Sequence, residues 1–264
     1  MIIGGNGMPK IEIHQTAIIG HALRPLQGMI CSKENPMDPK VIIEGDLYIG
    51  PYSVVGEGVC LGKNVIIDVY CNIERGVIIG ENTLIVHRAT VGGYSKIGRE
   101  CVIGGVIGEG TVIGDRCRVF GSVVHKQDDP SYSWDHRPEP EPSVTIHDDC
   151  FIGFESFVAG DIEIGPKAYI CANSVITKTV PPGYIAYGRN QMVYHTEWKG
   201  NLGKSPVFDG VYYDILCFDN KWTVQSVFSS STARSYEVSN FTKLFRRYRS
   251  GLYSFNARRA IFCR

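Results

Sequence analysis

Two histidines, His125 and His87, lie where their side chains could move a proton. Imidazole titrates near neutral pH, so a histidine can take a proton from a hydroxyl or amino group as that group attacks. His125 begins the segment HKQDDPSYSWDHRPEPEP, which interrupts an otherwise regular chain. His87 lies in LIVHRATVGG, two positions past an aliphatic residue. Both are candidate catalytic residues, and an ordinary surface or interface histidine is the alternative for each.

The interrupting segment, residues 125–142, has the composition of a recognition loop. It carries four prolines, which disfavour continued strand pairing. Tyr132 and Trp134 could stack on a nucleobase, and Arg137 could pair with a phosphate or a carboxylate. Long loops on a rigid scaffold are a common place for substrate recognition. A loop that clasps a neighbouring subunit is the other interpretation, and the two are compatible.

A six-residue repeat surrounds this loop. Branched aliphatic residues recur at every sixth position from Ile43 to Ile103, and the register slips within VIGGVIGEG before it resumes. The repeated positions are Ile13, Ile19, Ile43, Ile49, Val55, Leu61, Ile67, Ile73, Ile79, Ile85, Val91, Ile97, Ile103, Ile107, Ile113, Val119, Ile146, Ile152, Val158, Ile164, Ile170 and Ile176. A period of six fits neither an α-helix nor a simple strand and indicates a solenoid. His125 stands where this register predicts the next aliphatic residue after Val119.

Small residues flank the repeated aliphatic positions. The residue two before is usually compact, and Cys71, Cys101, Cys117 and Cys150 occupy this place. We interpret these cysteines as corner fillers. The residue after the aliphatic is often glycine, as expected where the backbone turns tightly or adopts a positive φ.

Composition excludes several classes of protein. A hydrophobic content of 44% excludes a disordered chain. Because 27 Lys and Arg balance 27 Asp and Glu, there is no overall basic field to hold nucleic acid or an anionic membrane. The nine cysteines include no Cys-x-x-Cys pair, and the start, MIIGGNGMPK, is not typical of a signal peptide. We therefore expect a cytoplasmic protein with neither nucleic-acid nor membrane partners.

A second region follows the repeat. We predict a β-helix domain over residues 1–204, with the loop insertion at 125–142, and a small hairpin-plus-helix domain over 205–264. VYYDILCF and KWTVQSVF flank Asp219 and Asn220 as two strands of a hairpin. SNFTKLFRRYRSG predicts a short helix with Ser239 as its N-cap and Gly251 at its end.

The repeat resembles that of the left-handed parallel β-helix family, in which three hexapeptides make one triangular coil. We therefore expect an all-β solenoid, a left-handed parallel β-helix with a small mixed α/β C-terminal appendage. The 22 repeat units predict about seven coils, stacked over roughly 35 Å at the ~4.8 Å spacing of paired strands. Most known members are acyltransferases that use acyl-CoA or acyl carrier protein, and most are trimers, which implies a homotrimer here.

The stretch from Ser143 to Arg189, which contains SVITKTVPPG, looks like the closing coils of CoA-dependent members. In those enzymes the pantetheine arm runs along the late coils, and a basic residue meets the nucleotide phosphates. By this resemblance we place the cofactor site at Ala159, Gly160, Ala172, Lys178 and Arg189. Alanine and glycine let a ligand approach the backbone, and lysine or arginine pairs with phosphate. The usual family tail GNPA is replaced here by GRNQ.

The resemblance to nucleotide-sugar N-acyltransferases implies a reaction. An acetyl or short hydroxyacyl group would pass from acyl-CoA to the amino group of a nucleotide-linked amino sugar, in polysaccharide biosynthesis. The amine would attack the thioester directly, with backbone N–H groups holding the oxyanion. In maltose and galactoside acetyltransferase relatives a catalytic histidine directly precedes an extended loop, as His125 does. His87 would lie on the same edge as His125 or an adjoining one, about 10 Å away along the axis.

Three other functions stay open. One is O-acetyltransfer to a sugar or antibiotic hydroxyl, with His125 as general base. Another is metal catalysis, since γ-type carbonic anhydrases share the repeat. They need three histidines, two of them five residues apart, and no His-x4-His occurs here, so we expect no metal. The third, a non-catalytic scaffold, leaves the CoA-type closing coils and the insertion unexplained.

Overall fold

The computed structural model describes residues 2–3, 9–21, 41–126, 142–208, 213–218, 221–226 and 235–237. The chain divides into two compact units, Met1–Phe208 and Asp209–Arg264. The first is a left-handed parallel β-helix, so the predicted solenoid is confirmed. The second contains a three-stranded antiparallel sheet.

Short strands form the three faces of the helix, and the chain passes from face 1 to face 2 to face 3 in each coil. Face 1 consists of Ile2–Ile3, Ile11–Ile13, Leu47–Ile49, Val65–Ile67, Leu84–Ile85, Val102–Ile103, Arg118–Val119, Phe151–Ile152, Tyr169–Ile170, Tyr184–Tyr187 and Gln191–Tyr194. Face 2 consists of Ile18–His21, Val54–Gly56, Asn72–Ile73, Thr90–Val91, Val106–Ile107, Ser122–Val124, Phe157–Ala159 and Val175–Ile176. Face 3 consists of Ile42–Ile43, Cys60–Leu61, Ile78–Ile79, Lys96–Ile97, Val112–Ile113, Thr145–Ile146 and Glu163–Ile164. We call the turn from face 1 to face 2 corner 1, the turn from face 2 to face 3 corner 2, and the turn from face 3 to face 1 corner 3.

Backbone hydrogen bonds between successive coils hold each face together. The N–H of Ile66, for example, donates to the carbonyl of Thr83 at 3.0 Å. Equivalent residues of successive coils therefore stack above one another, ~4.8 Å apart. The predicted inward aliphatic residues form the core, and from Ile49 to Ile176 each is at most 3% exposed. Burial of each such side chain contributes about 1.5 to 3 kcal/mol.

Eleven glycines that follow an inward aliphatic residue do not adopt positive φ, whereas Gly20, which follows Ile19, has a φ of 70°. The eleven are Gly50, Gly56, Gly62, Gly80, Gly92, Gly98, Gly104, Gly108, Gly114, Gly153 and Gly165. Positive φ falls instead three residues before the next inward position, as at Tyr52 (58°) and Asn82 (57°). The glycines serve close approach between coils, because a Cβ at Gly80 would lie 2.6 Å from the carbonyl carbon of Gly98. The positive-φ part of the prediction is therefore wrong for these eleven glycines.

Corner 1 is two residues short in two consecutive coils. The inward residues Ile103 and Ile107 are four positions apart, and so are Val119 and Val123. Gly105 permits this, because a Cβ there would overlap the carbonyl oxygen of Gly121 in the next coil. The predicted register slip at VIGGVIGEG is the first of these two short corners.

The second short corner corrects the register of His125. Val123 pairs with Ile107 on one side and with Val158 on the other, and it is fully buried. Val123 is therefore the inward residue after Val119, and the prediction that His125 takes this position is wrong. His125 follows the strand Ser122–Val124 and lies in corner 2.

The four corner cysteines are buried, as predicted. Each thiol donates to a carbonyl oxygen of the coil above: Cys71 to Val86 at 3.2 Å, Cys101 to Gly114 at 3.1 Å, Cys117 to His147 at 3.0 Å and Cys150 to Gly165 at 3.1 Å. The Ser53 hydroxyl occupies the equivalent place and donates to the backbone carbonyl of Asp68 at 2.6 Å. Burial raises the pKa of the Cys71 thiol, which disfavours the reactive thiolate. These cysteines are packing residues.

Short 3-10 helices follow the last coil, at His195–Glu197, Asn201–Lys204 and Pro206–Phe208. In the second unit Tyr213–Phe218 and Lys221–Ser226 form the predicted antiparallel pair, and Ser235–Glu237 adds a third strand. The turn at Asp219 and Asn220 and the helix predicted between Ser239 and Gly251 lie outside the described residues. Within the described ranges, no helix has the length and apolar character needed to span a membrane.

Replacing Ile73 with alanine should lower the free energy of unfolding by roughly 2 to 5 kcal/mol, because the side chain is fully buried between stacked coils. Ile78→Ala is the matched control, since Ile78 points outward on face 3 and is 44% exposed. We expect the control to change the free energy of unfolding by about 1 kcal/mol or less. Urea unfolding followed by circular dichroism measures both, and equal losses would contradict the inward ladder.

Candidate functional site

Corner 2 brings four of the predicted site residues together. His125 follows one strand of face 2, Ala159 and Gly160 end and follow the next strand, and Lys178 lies just beyond the strand after that. These strands are neighbours on face 2, so the residues occupy three successive coils. The N–H of Gly160 donates to the carbonyl of Val124 at 3.1 Å, beside His125.

His125, Ala159 with Gly160, and Lys178 form a column along corner 2, and the middle of this column has only small side chains. Gly160 has a φ of 120°, in the region that favours glycine, and Ala159 contributes one methyl group. His125 is half-buried on one side of this gap, and Lys178 is exposed on the other. A ligand along corner 2 would lie close to the backbone at residues 159–160, between an imidazole and an ammonium group.

A regular hydrogen bond joins the coils at corner 2. The donor is the backbone N–H of the third residue after an inward aliphatic residue. The acceptor is the backbone carbonyl of the second residue after the inward aliphatic residue of the coil below. Tyr94 donates in this way to Arg75 at 3.0 Å, and Gly110 donates to Gly93 at 2.9 Å. By the same pattern, Lys126 would donate to Glu109.

At the root of the insertion this hydrogen bond is replaced. The N–H of Lys126 donates to the carbonyl of Pro142 at 2.8 Å, and the hydroxyl of Ser143 donates to the carbonyl of Glu109 at 2.5 Å. Ser143 lies three residues before the inward Ile146, so it completes the turn that Lys126 leaves. The insertion therefore departs after His125 and returns at Ser143, and its two ends are held side by side.

Sequence reasoning missed this role of Ser143. The available signal was its register, three positions before Ile146, where Gly110 precedes Ile113 in the coil below. A Cβ at Gly110 would lie 3.3 Å from the Ser143 hydroxyl, which places the two residues one above the other.

His125 is oriented by its own neighbour. Its Nδ1 lies 3.4 Å from the carbonyl oxygen of Lys126. In the tautomer that donates from Nδ1 to this carbonyl, the lone pair is on Nε2. The Nε2 atom is then the one that can accept a proton from a substrate.

His87 lies at a different corner. It is exposed in the turn between Leu84–Ile85 and Thr90–Val91, which is corner 1. The strand Thr90–Val91 is two strands from the one that precedes His125, so the axial offset is ~10 Å. Within one chain, the two histidines are therefore at opposite ends of face 2.

The remaining predicted cofactor residues are also away from corner 2. Ala172 is exposed at corner 1. Arg189 pairs with Val175 as an isolated bridge, one layer above the last strand of face 2, and it is exposed. The structure thus places Ala159, Gly160 and Lys178 beside His125, and Ala172 and Arg189 on the other side of face 2 or above it.

The departure from the usual tail, GRNQ, has a structural role through Asn190. The Thr177 N–H donates to Oδ1 of Asn190 at 2.8 Å, and Nδ2 of Asn190 donates to the Thr177 hydroxyl at 2.9 Å. Asn190 therefore closes the top of the last coil beside Lys178. Asn190 has a φ of 55°, which asparagine tolerates better than most residues, so the asparagine itself was the available sequence signal.

Three predicted substrate residues, Tyr132, Trp134 and Arg137, lie outside the described residues. Across the described ranges, no group of three or more His, Cys, Asp or Glu side chains could hold a metal ion.

Residues 143–178 match the family described as bacterial transferase hexapeptide, six repeats. Proteins of similar sequence include the bifunctional protein GlmU of Anaplasma marginale (strain Florida), 28% identical over 174 residues, which cover 60% of this chain and 39% of that protein. GlmU of Thermotoga petrophila is 31% identical over 159 residues, which cover 60% of this chain and 30% of that protein. The chain thus matches well under half the length of these relatives.

Solved structures with a similar fold include a UDP-N-acetylglucosamine acyltransferase from Campylobacter jejuni, at 16% identity and a TM-score of 0.35, covering 73% of this chain and 81% of that one. Another is a perosamine N-acetyltransferase from Caulobacter crescentus, at 14% identity and a TM-score of 0.23, covering 58% of this chain and 52% of that one. Residues 143–178 are therefore similar to the bacterial transferase hexapeptide family, and the same six-residue repeat forms the three-faced β-helix on both sides of this stretch.

Proposed function

We propose that the protein is an acyltransferase that moves an acetyl or short hydroxyacyl group from acyl-CoA to the amino group of a nucleotide-linked amino sugar. The observation that carries this proposal is the column at corner 2, where His125, the backbone at residues 159–160 and Lys178 lie in successive coils. The insertion starts from the same corner, so a donor along the column and an acceptor held by the loop would meet beside His125. The family match, which names a transferase, supports the same class of reaction.

The donor side follows from the shape and charge of the column. Pantetheine is a narrow chain with amide groups, and Ala159 and Gly160 leave room for it against the backbone. The exposed ammonium group of Lys178 pairs with a phosphate of the nucleotide. This proposed placement of acyl-CoA puts its thioester toward His125.

The acceptor attacks the thioester carbonyl directly, and CoA leaves as the thiolate. A neutral amine needs little help from a base, so in N-acyl transfer His125 orients the acceptor and accepts its proton after attack. No covalent acyl-enzyme forms, because the nucleophile is the acceptor itself.

The second candidate function is O-acyl transfer to a sugar hydroxyl. The contact between Nδ1 of His125 and the Lys126 carbonyl supports it, since the tautomer that donates from Nδ1 has its basic lone pair on Nε2, and a hydroxyl acceptor requires a base. Assays with acetyl-CoA and two kinds of sugar nucleotide distinguish the two functions. One kind offers an amino group as the acceptor, and the other offers a hydroxyl group at the same position.

A homotrimer is part of the proposal. His87 and His125 lie at different corners of one chain, so His87 reaches the site only from a neighbouring subunit. Light scattering on the full chain tests the assembly, and a mass of about one subunit would reject it.

Replacing His125 with alanine should lower kcat by about 10²- to 10⁴-fold with a hydroxyl acceptor, because the base is lost, and by a smaller factor with an amine acceptor. Steady-state assays with both acceptors measure this. His14→Ala is the control, since His14 is an exposed histidine in the first turns of the helix, and we expect it to retain full activity. Near-normal turnover of the His125 variant with every acceptor would contradict a catalytic role.

Replacing Lys178 with alanine should weaken CoA binding about 10-fold or more, because a charged hydrogen bond to phosphate contributes about 1.5 to 3 kcal/mol. Isothermal titration calorimetry measures the dissociation constant, and the loss should shrink as salt is added. Lys63→Ala, an exposed lysine at corner 3, should bind CoA normally. Equal effects of the two substitutions would mean that Lys178 acts only through overall charge.

Removing residues 127–141 and joining Lys126 to Pro142 through two glycines should leave the β-helix folded, because the two ends are already held at hydrogen-bond distance. We expect the melting temperature and CoA affinity to be retained, and turnover of the acceptor to be lost. Thermal unfolding and calorimetry provide the first two measurements, and an acceptor assay the third. An excised variant that still acylates the acceptor normally would exclude the loop from recognition.

A further inference from the structure

The end of the β-helix carries an excess of positive charge. Residues 165–208 contain five basic residues, Lys167, Lys178, Arg189, Lys199 and Lys204, and a single acidic residue, Glu197. The whole chain is balanced at 27 positive and 27 negative side chains. A local excess of four positive charges in a neutral protein favours an anionic ligand at this end.

An aromatic pair lies within this basic end. The rings of Tyr187 and Trp198 meet edge to face, with centroids 5.2 Å apart and planes at 80°. An edge-to-face contact occupies at most one face of one ring, so it leaves aromatic surface available for stacking. Trp198 is half-buried, and its neighbour Lys199 is exposed.

Glycine keeps one edge of the indole uncovered. A Cβ at Gly200 would lie 3.4 Å from Nε1 of Trp198 and 3.7 Å from its Cδ1, so a side chain there would cover the pyrrole ring. The φ of Gly200 is 152°, within the range that favours glycine. The backbone therefore turns past the indole without a side chain against it.

Tyr187 also belongs to the last layer of the β-helix, beside corner 1. The N–H of Cys171 donates to the carbonyl of Ala186 at 2.9 Å, and the N–H of Val175 donates to the carbonyl of Gly188 at 2.7 Å. Because Ala186 pairs with Ile170, Tyr187 lies one coil above Cys171, at the start of corner 1. Arg189 follows two residues later, after Gly188, so an aromatic and a cationic residue lie close together in sequence on the last layer.

We infer that Trp198, with Tyr187 beside it, binds the adenine of the acyl donor, while Arg189 and Lys199 share its phosphates with Lys178. This inference rests on the proposed use of acyl-CoA. A nucleobase stacks on an aromatic side chain, and phosphates pair with guanidinium and ammonium groups. CoA offers both chemistries at one end, in a 3′-phosphorylated adenosine diphosphate.

Trp198 is then a specificity-determining residue. It distinguishes acyl-CoA from donors that present the same pantetheine thioester without the nucleotide, namely acyl-pantetheine and acyl carrier protein. The test compares kcat/KM for acetyl-CoA and for S-acetylpantetheine, because only the first donor can use the aromatic and basic groups.

In the full chain, Trp198→Ala should lower kcat/KM for acetyl-CoA by about 10-fold or more, the usual range for a lost base–aromatic stack, and leave S-acetylpantetheine unchanged. Trp198→Phe should restore most of the preference, since phenylalanine still offers a face for stacking. Tyr52→Ala is the control, because Tyr52 is an exposed, stacked aromatic residue far from this end. The Tyr52 substitution should leave kcat/KM unchanged for both donors.

The outcomes separate this inference from the proposed function. If the wild type uses acetyl-CoA and the alanine variant keeps the same ratio of the two donors, Trp198 does not bind adenine, although the acyltransferase function stands. An equal loss with both donors means that Trp198 only supports the fold, and overturns the inference too. If the wild type uses neither donor, the acyl-CoA function itself is wrong, and the inference falls with it.

Discussion

The stacking of coils through backbone hydrogen bonds is the constraint on which the rest of the molecule depends. Once each coil donates to and accepts from its neighbours, equivalent positions must lie in columns parallel to the axis. A column of inward aliphatic residues makes the core, and a column of small residues makes each corner. The same rule makes a column of the site, because His125, Gly160 and Lys178 are far apart in sequence and adjacent in space.

The core could be predicted from the sequence because its signal is redundant. Every sixth residue is aliphatic through long stretches, and one exception would not hide the period. The short corners could not be predicted with the same certainty, since they depend on contact between Gly105 and Gly121 in neighbouring coils. The sequence does not show whether a glycine is needed for a positive φ or for close contact between neighbouring coils. The inward position was therefore predicted at His125, two residues after its actual place at Val123, although the place of His125 at the root of the insertion was predicted.

The candidate site shows a similar limit. All three corners share one sequence pattern, so the corner at which a residue lies is known only by counting residues through every preceding coil. Each short corner shifts that count by two. The residues named by resemblance were consequently not separable into corner 2, where Ala159 and Lys178 lie, and corner 1, where Ala172 lies. Trp198 has no place in the repeat at all, and only the folded end of the helix brings it beside Tyr187.

The hydrogen bond between Lys126 and Pro142 has a consequence for how this protein can change. For a flexible loop whose ends are fixed, the entropy of closure grows only with the logarithm of its length, so a doubling costs about 0.6 kcal/mol. The coils above and below keep their own ladder whatever stands between those ends. Insertions and deletions at this site are therefore nearly neutral for folding. Under the proposed function, natural variation could explore new acceptors there while the residues of corner 2 stay the same.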